Sequence, residues 1–469
     1  MIQDHAGLFT DMYELTMAQA YFRDGMADVP AVFDYEFRRV PFDGGFAVFA
    51  GLADFLDYLG ELRFAREDLD YLRSKGFGAE FLDYLGRFRF QATVWSVREG
   101  EIIFPLEPVV RVEGRLLETQ IIETAILNVL NFESLIATKA TRLRLAAGGR
   151  VVTEFGLRRA QGPGGILASR AAVIGGCDST SNVYSAWRCG LEPTGTIAHS
   201  FIESHADELT AFRRFAESHP DGCVLLVDTF DTLRSGVPHA IQVAQEMEAR
   251  GQRLAGIRLD SGDLAYLSKH ARQMLDAAGL GYVKIVASNL LDEHLVRSLL
   301  EQGAPIDMFG VGTRLATGAP DGALDGVYKL AVVDGKPRLK VSDTLVKTTL
   351  PGAKKIYRYS NGEGLFQGDA IALDHETAVP VMVHPYEPGR TLHLRDFRAE
   401  PLFVKVVDGG RRIALSERVV DIAAYARGRL ADLPEEHKRF ENPHIYRVGL
   451  SEELAALRDD LVRRAREGG

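Results

Sequence analysis

The fold class this sequence predicts is α/β, a parallel βα barrel inserted into a mixed α+β domain. Three observations predict it. Between residues 151 and 315, short apolar runs ending in polar residues or glycine alternate with helical segments, the pattern of a parallel array. The segments before and after that array read instead as antiparallel strands and amphipathic helices, so both ends of the chain are expected to build one domain around the barrel. A length of 469 residues accommodates a barrel of ~250 residues together with a second domain.

Residues 1–115 form the first part of the mixed domain. Thr10 or Asp11 can cap a helix over MYELTMAQAYF, with Asp11 and Glu14 near its positive end. Met12, Leu15, Ala18 and Phe22 make one apolar stripe and Tyr13, Met17 and Tyr21 another, so this helix needs cover from its own domain and from something else. On pattern alone Tyr13 is a core or interface tyrosine. AVFDYEFRR (31–39) alternates as a strand ending in the solvated Arg38 and Arg39, and a helix follows the Gly44–Gly45 pair. Residues 92–112 supply further strands, with Gly100 at a turn and Pro105 and Pro108 at breaks.

Residues 116–150 read as a connecting helical segment, apolar nearly all round at IIETAILNVLNF and therefore sandwiched between layers. The barrel occupies 151–326, with strands expected at 151–159, 195–200, 223–231, 255–263, 283–289 and 308–313. Residues 327–469 complete the mixed domain. They open on a hairpin turning at Asp334 and Gly335, continue through RTLHLRDF and EPLFVKVVDGG, and end on an amphipathic helix with Leu454, Leu457 and Leu461 on one face.

Lys plus Arg number 55 against 65 for Asp plus Glu, a net charge of −10 that argues against nucleic acid or an anionic membrane as the main partner. Three cysteines without close pairing support neither a disulfide framework nor a thiolate zinc site, and fit a reducing cytoplasm. The N-terminus lacks a leader pattern, and no apolar run approaches the ~20 residues of a membrane span.

Chemistry concentrates where strands end. AGIRLDSGD (255–263) places Arg258 two residues before Asp260, hence on the same side of its strand, and Asp228 ends the neighbouring apolar run. In a parallel array these ends converge on one face, where Asp228 and Asp260 could bind Mg²⁺; the alternative is that each caps the following helix. A structural Arg258–Asp260 pair is the bland reading of the arginine. His199, at the end of GTIAHS, is either structural or an accessible group oriented by the carboxylates. Gly310 and Gly312 in FGVGT free backbone N–H groups for a phosphate. Thr348 and Thr349 in KTTLPGAKK, beside three lysines, suit an anion-binding loop or an exposed basic turn. An arginine pair, aspartates, a histidine and a Gly-rich turn on one face suit a phosphorylated sugar or nucleotide with a divalent metal.

These residues also carry a resemblance. TDMYELTMAQAYF, EFGLRRAQGPGG followed by ASRAAVIGGCDSTSN, GTIAHSF, LVDTFDTLRSGVPHAI, IRLDSGDLAYL, VASNLLDE, FGVGTRL, GVYKL and TLPGAKK closely resemble nicotinate phosphoribosyltransferases, in order and over almost the whole chain. The resemblance implies a type II phosphoribosyltransferase fold and transfer of a phosphoribosyl group from phosphoribosyl pyrophosphate to nicotinate. ATP as co-substrate would be coupled through a phosphohistidine at His199. It further implies that Tyr13 stacks on the pyridine ring and that Thr196 and Arg258 line the nicotinate pocket. Arg158 and Arg159 would bind phosphates and the substrate carboxylate in an order the sequence leaves open. Asp228 and Asp260 would hold Mg²⁺ and ribose hydroxyls, Gly312 and Thr313 the 5-phosphate, and Thr349 the donor. A homodimer with a shared active site is implied as well. The nearest alternative is a nicotinamide phosphoribosyltransferase, in which an aspartate suits the amide where this chain aligns Ser181; a serine there favours a carboxylate.

Overall fold

The computed structural model describes residues 3–341, 348–387 and 389–467. The chain divides into two compact units, one made of 1–135, 323–417 and 424–469, the other of 136–322 with 418–423.

The first unit holds a seven-stranded antiparallel sheet in the order Lys336–Pro337, Gly326–Val333, Pro30–Phe37, Val110–Arg115, Thr93–Ser96, Val404–Asp408, Arg411–Arg412. Pro30–Phe37 alternates apolar residues inward, and Phe33 stacks on Tyr328 of the facing strand with ring centroids 4.9 Å apart. The expected hairpin is present, and Asp334 and Gly335 take φ of 52° and 66°, the positive pair that a two-residue turn requires. The helices Met12–Arg23, Leu52–Glu61, Arg66–Ser74 and Ala79–Gly86 contribute Leu15, Phe55, Leu72 and Phe81 to the same core. A six-stranded sheet built from the C-terminal segment completes the unit. In it the buried Arg358 is clamped by Asp369 at 2.6 Å and Glu101 at 2.5 Å, which ties residues far apart in sequence.

The stretch expected to be a separate connector is two helices, Leu116–Gln120 and Glu123–Ala147, and the division between units falls inside the second. Ile122, Ile126 and Leu130 belong to the first unit's core. In the second unit, Lys139 and Arg142 close on the buried Glu293 at 2.5 and 2.8 Å. The all-round apolarity therefore reflects burial along the whole length. The stretch is long and apolar enough to cross a membrane, yet most of that window is buried within the protein.

The second unit contains a six-stranded parallel sheet ordered Ser179–Thr180, Val151–Glu154, Met308–Val311, Lys284–Ala287, Gly256–Leu259, Val224–Leu226. The first and last long strands of the series, Val151–Glu154 and Met308–Val311, are neighbours in parallel register. That pairing makes the order cyclic, as in a barrel and not in an open sheet. The seam lies between Thr180 and Val224. There the expected strand at 195–200 is replaced by an irregular segment that touches the ladder through a bridge from Pro193 to Thr180 and a Thr194 N–H donated to the Thr180 carbonyl. Pro193 has no N–H to donate and Gly195 favours no strand, so the ladder stops, and His199 opens the short helix His199–Glu203. The strand Ser179–Thr180, too polar to read from sequence, takes the neighbouring place.

Candidate functional site

In a parallel barrel every strand ends on the same rim, and the residues just past Glu154, Thr180, Leu226, Leu259, Ala287 and Val311 meet there. A cavity of about 600 Å³ opens between them, lined by Arg158, Arg159, Ser181, Thr196, His199, Arg258, Asp260, Gly312 and Thr313 among the expected residues.

Asp228 and Asp260 are joined. The Asp260 N–H and the Ser261 hydroxyl both donate to Asp228 Oδ2 at 2.7 Å, while Oδ1 is buried without a hydrogen-bond partner. Neither carboxylate is a helix cap, because Asp231 and Asp263 perform that role for the segments that follow. Asp260 Oδ1 accepts from the Ser288 hydroxyl and lies 3.5 Å from Arg258 Nη2. Arg258 in turn donates Nη1 to the Thr196 hydroxyl and, at 3.3 Å, to the Ile197 carbonyl. One guanidinium thereby anchors the irregular segment to the strand bearing Asp260.

His199 Nδ1 lies 3.1 Å from the Thr229 hydroxyl, and Nε2 faces Asp260 Oδ2 at 3.9 Å. A hydroxyl contacts one ring nitrogen and a carboxylate faces the other. Arg158 and Arg159 are exposed on the turn after Val151–Glu154, and neither has a carboxylate partner among the described residues. Two cations left unpaired at the mouth of a cavity present an anion site.

A divalent metal fits this donor set in one form only. Among the described residues no group of three or more His, Cys, Asp or Glu side chains is placed to hold a metal. Mg²⁺, however, commonly uses one or two carboxylates and completes its shell with water and substrate phosphates, and the unpartnered Asp228 Oδ1 beside Asp260 is such a start.

The remaining expected residues are the two glycines of FGVGT, the Thr349 loop, where the structure differs from the expectation, and Tyr13. Both glycines line the cavity; a Cβ on Gly310 would overlap the Phe155 ring, and one on Gly312, just before the short helix Thr313–Ala316, would lie 3.1 Å from the Phe155 carbonyl. Thr349 is buried in the first unit and accepts the Lys340 N–H at 2.9 Å. Its neighbour Lys354 is no anion ligand, being buried and paired with Asp34 at 2.7 Å; Lys347 lies outside the described residues. Tyr13 also belongs to the first unit and is 45% exposed on its helix.

Thr229, Ser261 and Ser288 were missed as orienting groups, and Phe155 as a wall of the cavity. The signal available was a small hydroxyl residue one to three positions past each strand end, in LVDT, LDS and VAS.

Comparison with known proteins shows the family and the fold. The N-terminal domain of nicotinate phosphoribosyltransferase matches residues 8–131, the nicotinate phosphoribosyltransferase family 151–377, and the family's C-terminal domain 353–458. A nicotinate phosphoribosyltransferase of Bacillus subtilis is 44% identical over 463 residues, covering 96% of this chain and 94% of the relative. The human one is 34% identical over 97% of this chain and 96% of its own. The crystal structure of human nicotinic acid phosphoribosyltransferase superposes with a TM-score of 0.86 at 33% identity, covering 96% of this chain and 99% of that one, which gives the type II phosphoribosyltransferase fold. A nicotinate-nucleotide pyrophosphorylase of Pyrococcus furiosus, 24% identical with a TM-score of 0.74 over 91% of this chain and 95% of that one, shares the fold. The chain belongs to the nicotinate phosphoribosyltransferase family, enzymes of NAD biosynthesis.

Proposed function

We propose that the barrel mouth transfers the phosphoribosyl group of phosphoribosyl pyrophosphate to the ring nitrogen of nicotinate, releasing nicotinate mononucleotide and pyrophosphate. The observation that carries this reading is the pairing, in one cavity, of the unpaired Arg158 and Arg159 with Asp260 and the adjoining Asp228. The anomeric C–O bond breaks as the pyridine lone pair forms the C–N bond, so positive charge develops on the ribose and negative charge on the departing pyrophosphate. Carboxylates near the sugar tolerate the first, and arginines hold the second. Mg²⁺, held by Asp228 and Asp260, would neutralise pyrophosphate charge. The ring nitrogen needs no general base because its lone pair is free; Thr196 and Arg258 have only to aim the ring. Gly312 and Thr313 are the candidates for the 5-phosphate. Coupling to ATP hydrolysis is assigned to His199, as a phosphohistidine.

With phosphoribosyl pyrophosphate and Mg²⁺, purified protein is expected to favour nicotinate over nicotinamide by roughly 10- to 100-fold in kcat/KM, the worth of a hydrogen bond to a charged group. Comparable kcat/KM for nicotinamide would favour the amide enzyme instead and remove Ser181 from the argument.

A homodimer sharing its sites is the second part of the proposal, supported by Met12 and Tyr13, 54% and 45% exposed on an apolar helix. Tyr13→Ala and Asp260→Ala chains, each inactive alone, should regain activity when mixed, since one site of each heterodimer is intact. A fully active monomer would rule the shared site out. The three cysteines are free, which fits a reducing compartment such as the cytoplasm.

A further inference from the structure

A buried carboxylate beneath the rim has no part in the chemistry assigned above. Glu154 ends the strand Val151–Glu154 and is 1% exposed. Its two oxygens serve different segments. Oε1 accepts the backbone N–H of Gly156, at the root of the turn that carries Arg158 and Arg159. Oε2 accepts the Thr180 hydroxyl at 2.6 Å, immediately before Ser181, and the Ser169 hydroxyl at 2.8 Å, on the helix Gly164–Ile174. The main chain repeats the link, for the Ser181 N–H donates to the Glu154 carbonyl at 2.9 Å and the Arg159 N–H to the Gly156 carbonyl at 2.8 Å.

Thr180 Oγ1 already accepts the Asn182 N–H at 3.0 Å, so its proton turns toward Glu154; Ser169 Oγ accepts Asn182 Nδ2 at 3.1 Å and shares its proton between Glu154 and the Gly165 carbonyl at 2.9 Å. Three donors converging from two sides call for an acceptor-only group with two oxygens. A glutamine has one oxygen and two N–H donors, so one orientation sets a donor against the Gly156 N–H and the other turns the Thr180 and Ser169 hydroxyls away from their present bonds. The turn is also confined, since a Cβ on Gly156 would overlap Ala316.

We infer that Glu154 is a positioning residue that sets the spacing between the Arg158–Arg159 turn and Ser181, and through it the grip of the rim on the substrate carboxylate. It rests on the proposed reading for the identity of that substrate, but not for the spacing itself. Glu154→Gln is expected to raise the KM for nicotinate about tenfold or more while kcat stays within about threefold, because the binding groups move and the reacting centre at Asp228 and Asp260 does not. Thr180→Val, which cuts only the link to Ser181, should reproduce part of the rise, and Glu154→Asp, which keeps the anion, should recover part of the loss. Hydrogen exchange on the free enzyme should show the amides of Gly156, Arg159 and Ser181 exchanging about tenfold faster in Glu154→Gln, with the strand Gly256–Leu259 unchanged. That readout needs no substrate. Faster exchange without nicotinate turnover in wild type would retain the spacing role and sink the substrate reading. Unchanged exchange, or a lowered Tm with KM unmoved in both Glu154→Gln and Thr180→Val, would overturn the inference.

Discussion

Changing Asp228 to asparagine is expected to lower kcat/KM by about 10²- to 10³-fold, the usual loss when one electrostatic stabiliser of a transition state is removed. The substitution is informative because of how the carboxylate is used. Oδ2 holds the Asp260 N–H and the Ser261 hydroxyl, whereas Oδ1 is buried without a partner. An asparagine that keeps its oxygen toward Asp260 and Ser261 preserves both bonds and replaces only the orphan oxygen with an NH₂ group, which repels a cation. The loss should therefore come with a weakened response to Mg²⁺ and a nearly unchanged Tm. Kinetics close to wild type at every Mg²⁺ concentration would remove Asp228 from the metal and ribose site.

Replacing His199 by alanine is expected to abolish ATP hydrolysis and the stimulation of transfer by ATP, leaving a slow, ATP-independent formation of nicotinate mononucleotide. Phosphorylation of the imidazole places about two negative charges on the rim. The ring sits 3.9 Å from Asp260, so those charges arise beside the groups that hold the donor. Asp228, Asp260 and Arg258 contact one another without His199, and the basal chemistry should persist. An acid-labile phosphate on another residue, or ATP hydrolysis retained in the variant, would contradict the assignment.

How far the sequence reached can be followed residue by residue. The period-two spacing of Arg258 and Asp260 requires them to share a side, and the structure places them 3.5 Å apart. Alternating polarity and turn residues sufficed for the Pro30–Phe37 strand and the Asp334–Gly335 hairpin, because apolar residues at every second position and positive φ are local demands, whereas the burial of Asp34 and Glu36 on the strand's other face is not. What escaped depended on partners distant in the chain. GTIAHS has the polarity of a strand, but the ladder it would join is interrupted at Pro193. Ser179–Thr180 has the polarity of a loop, but Glu154 accepts the Thr180 hydroxyl and makes its burial tolerable. The Phe155 ring stands where a side chain on Gly310 would be, a packing demand from another strand, and Lys354 looked like a surface cation although Asp34 holds it inside.

The pairing of Pro30–Phe37 with Gly326–Val333 also governs how this protein is made. Ala31 lies opposite Val333, so about 300 residues must leave the ribosome before the strand gains its second neighbour, a contact of very high sequence separation. Its other neighbour, Val110–Arg115, emerges early. Throughout synthesis of the barrel the nascent first unit thus carries an apolar strand with one edge unpaired, the feature that invites association between chains. The barrel's closing pair waits about half as long, because Val151 lies opposite Met308. Translation therefore delivers every strand of the barrel before the sheet that precedes it in sequence can be completed.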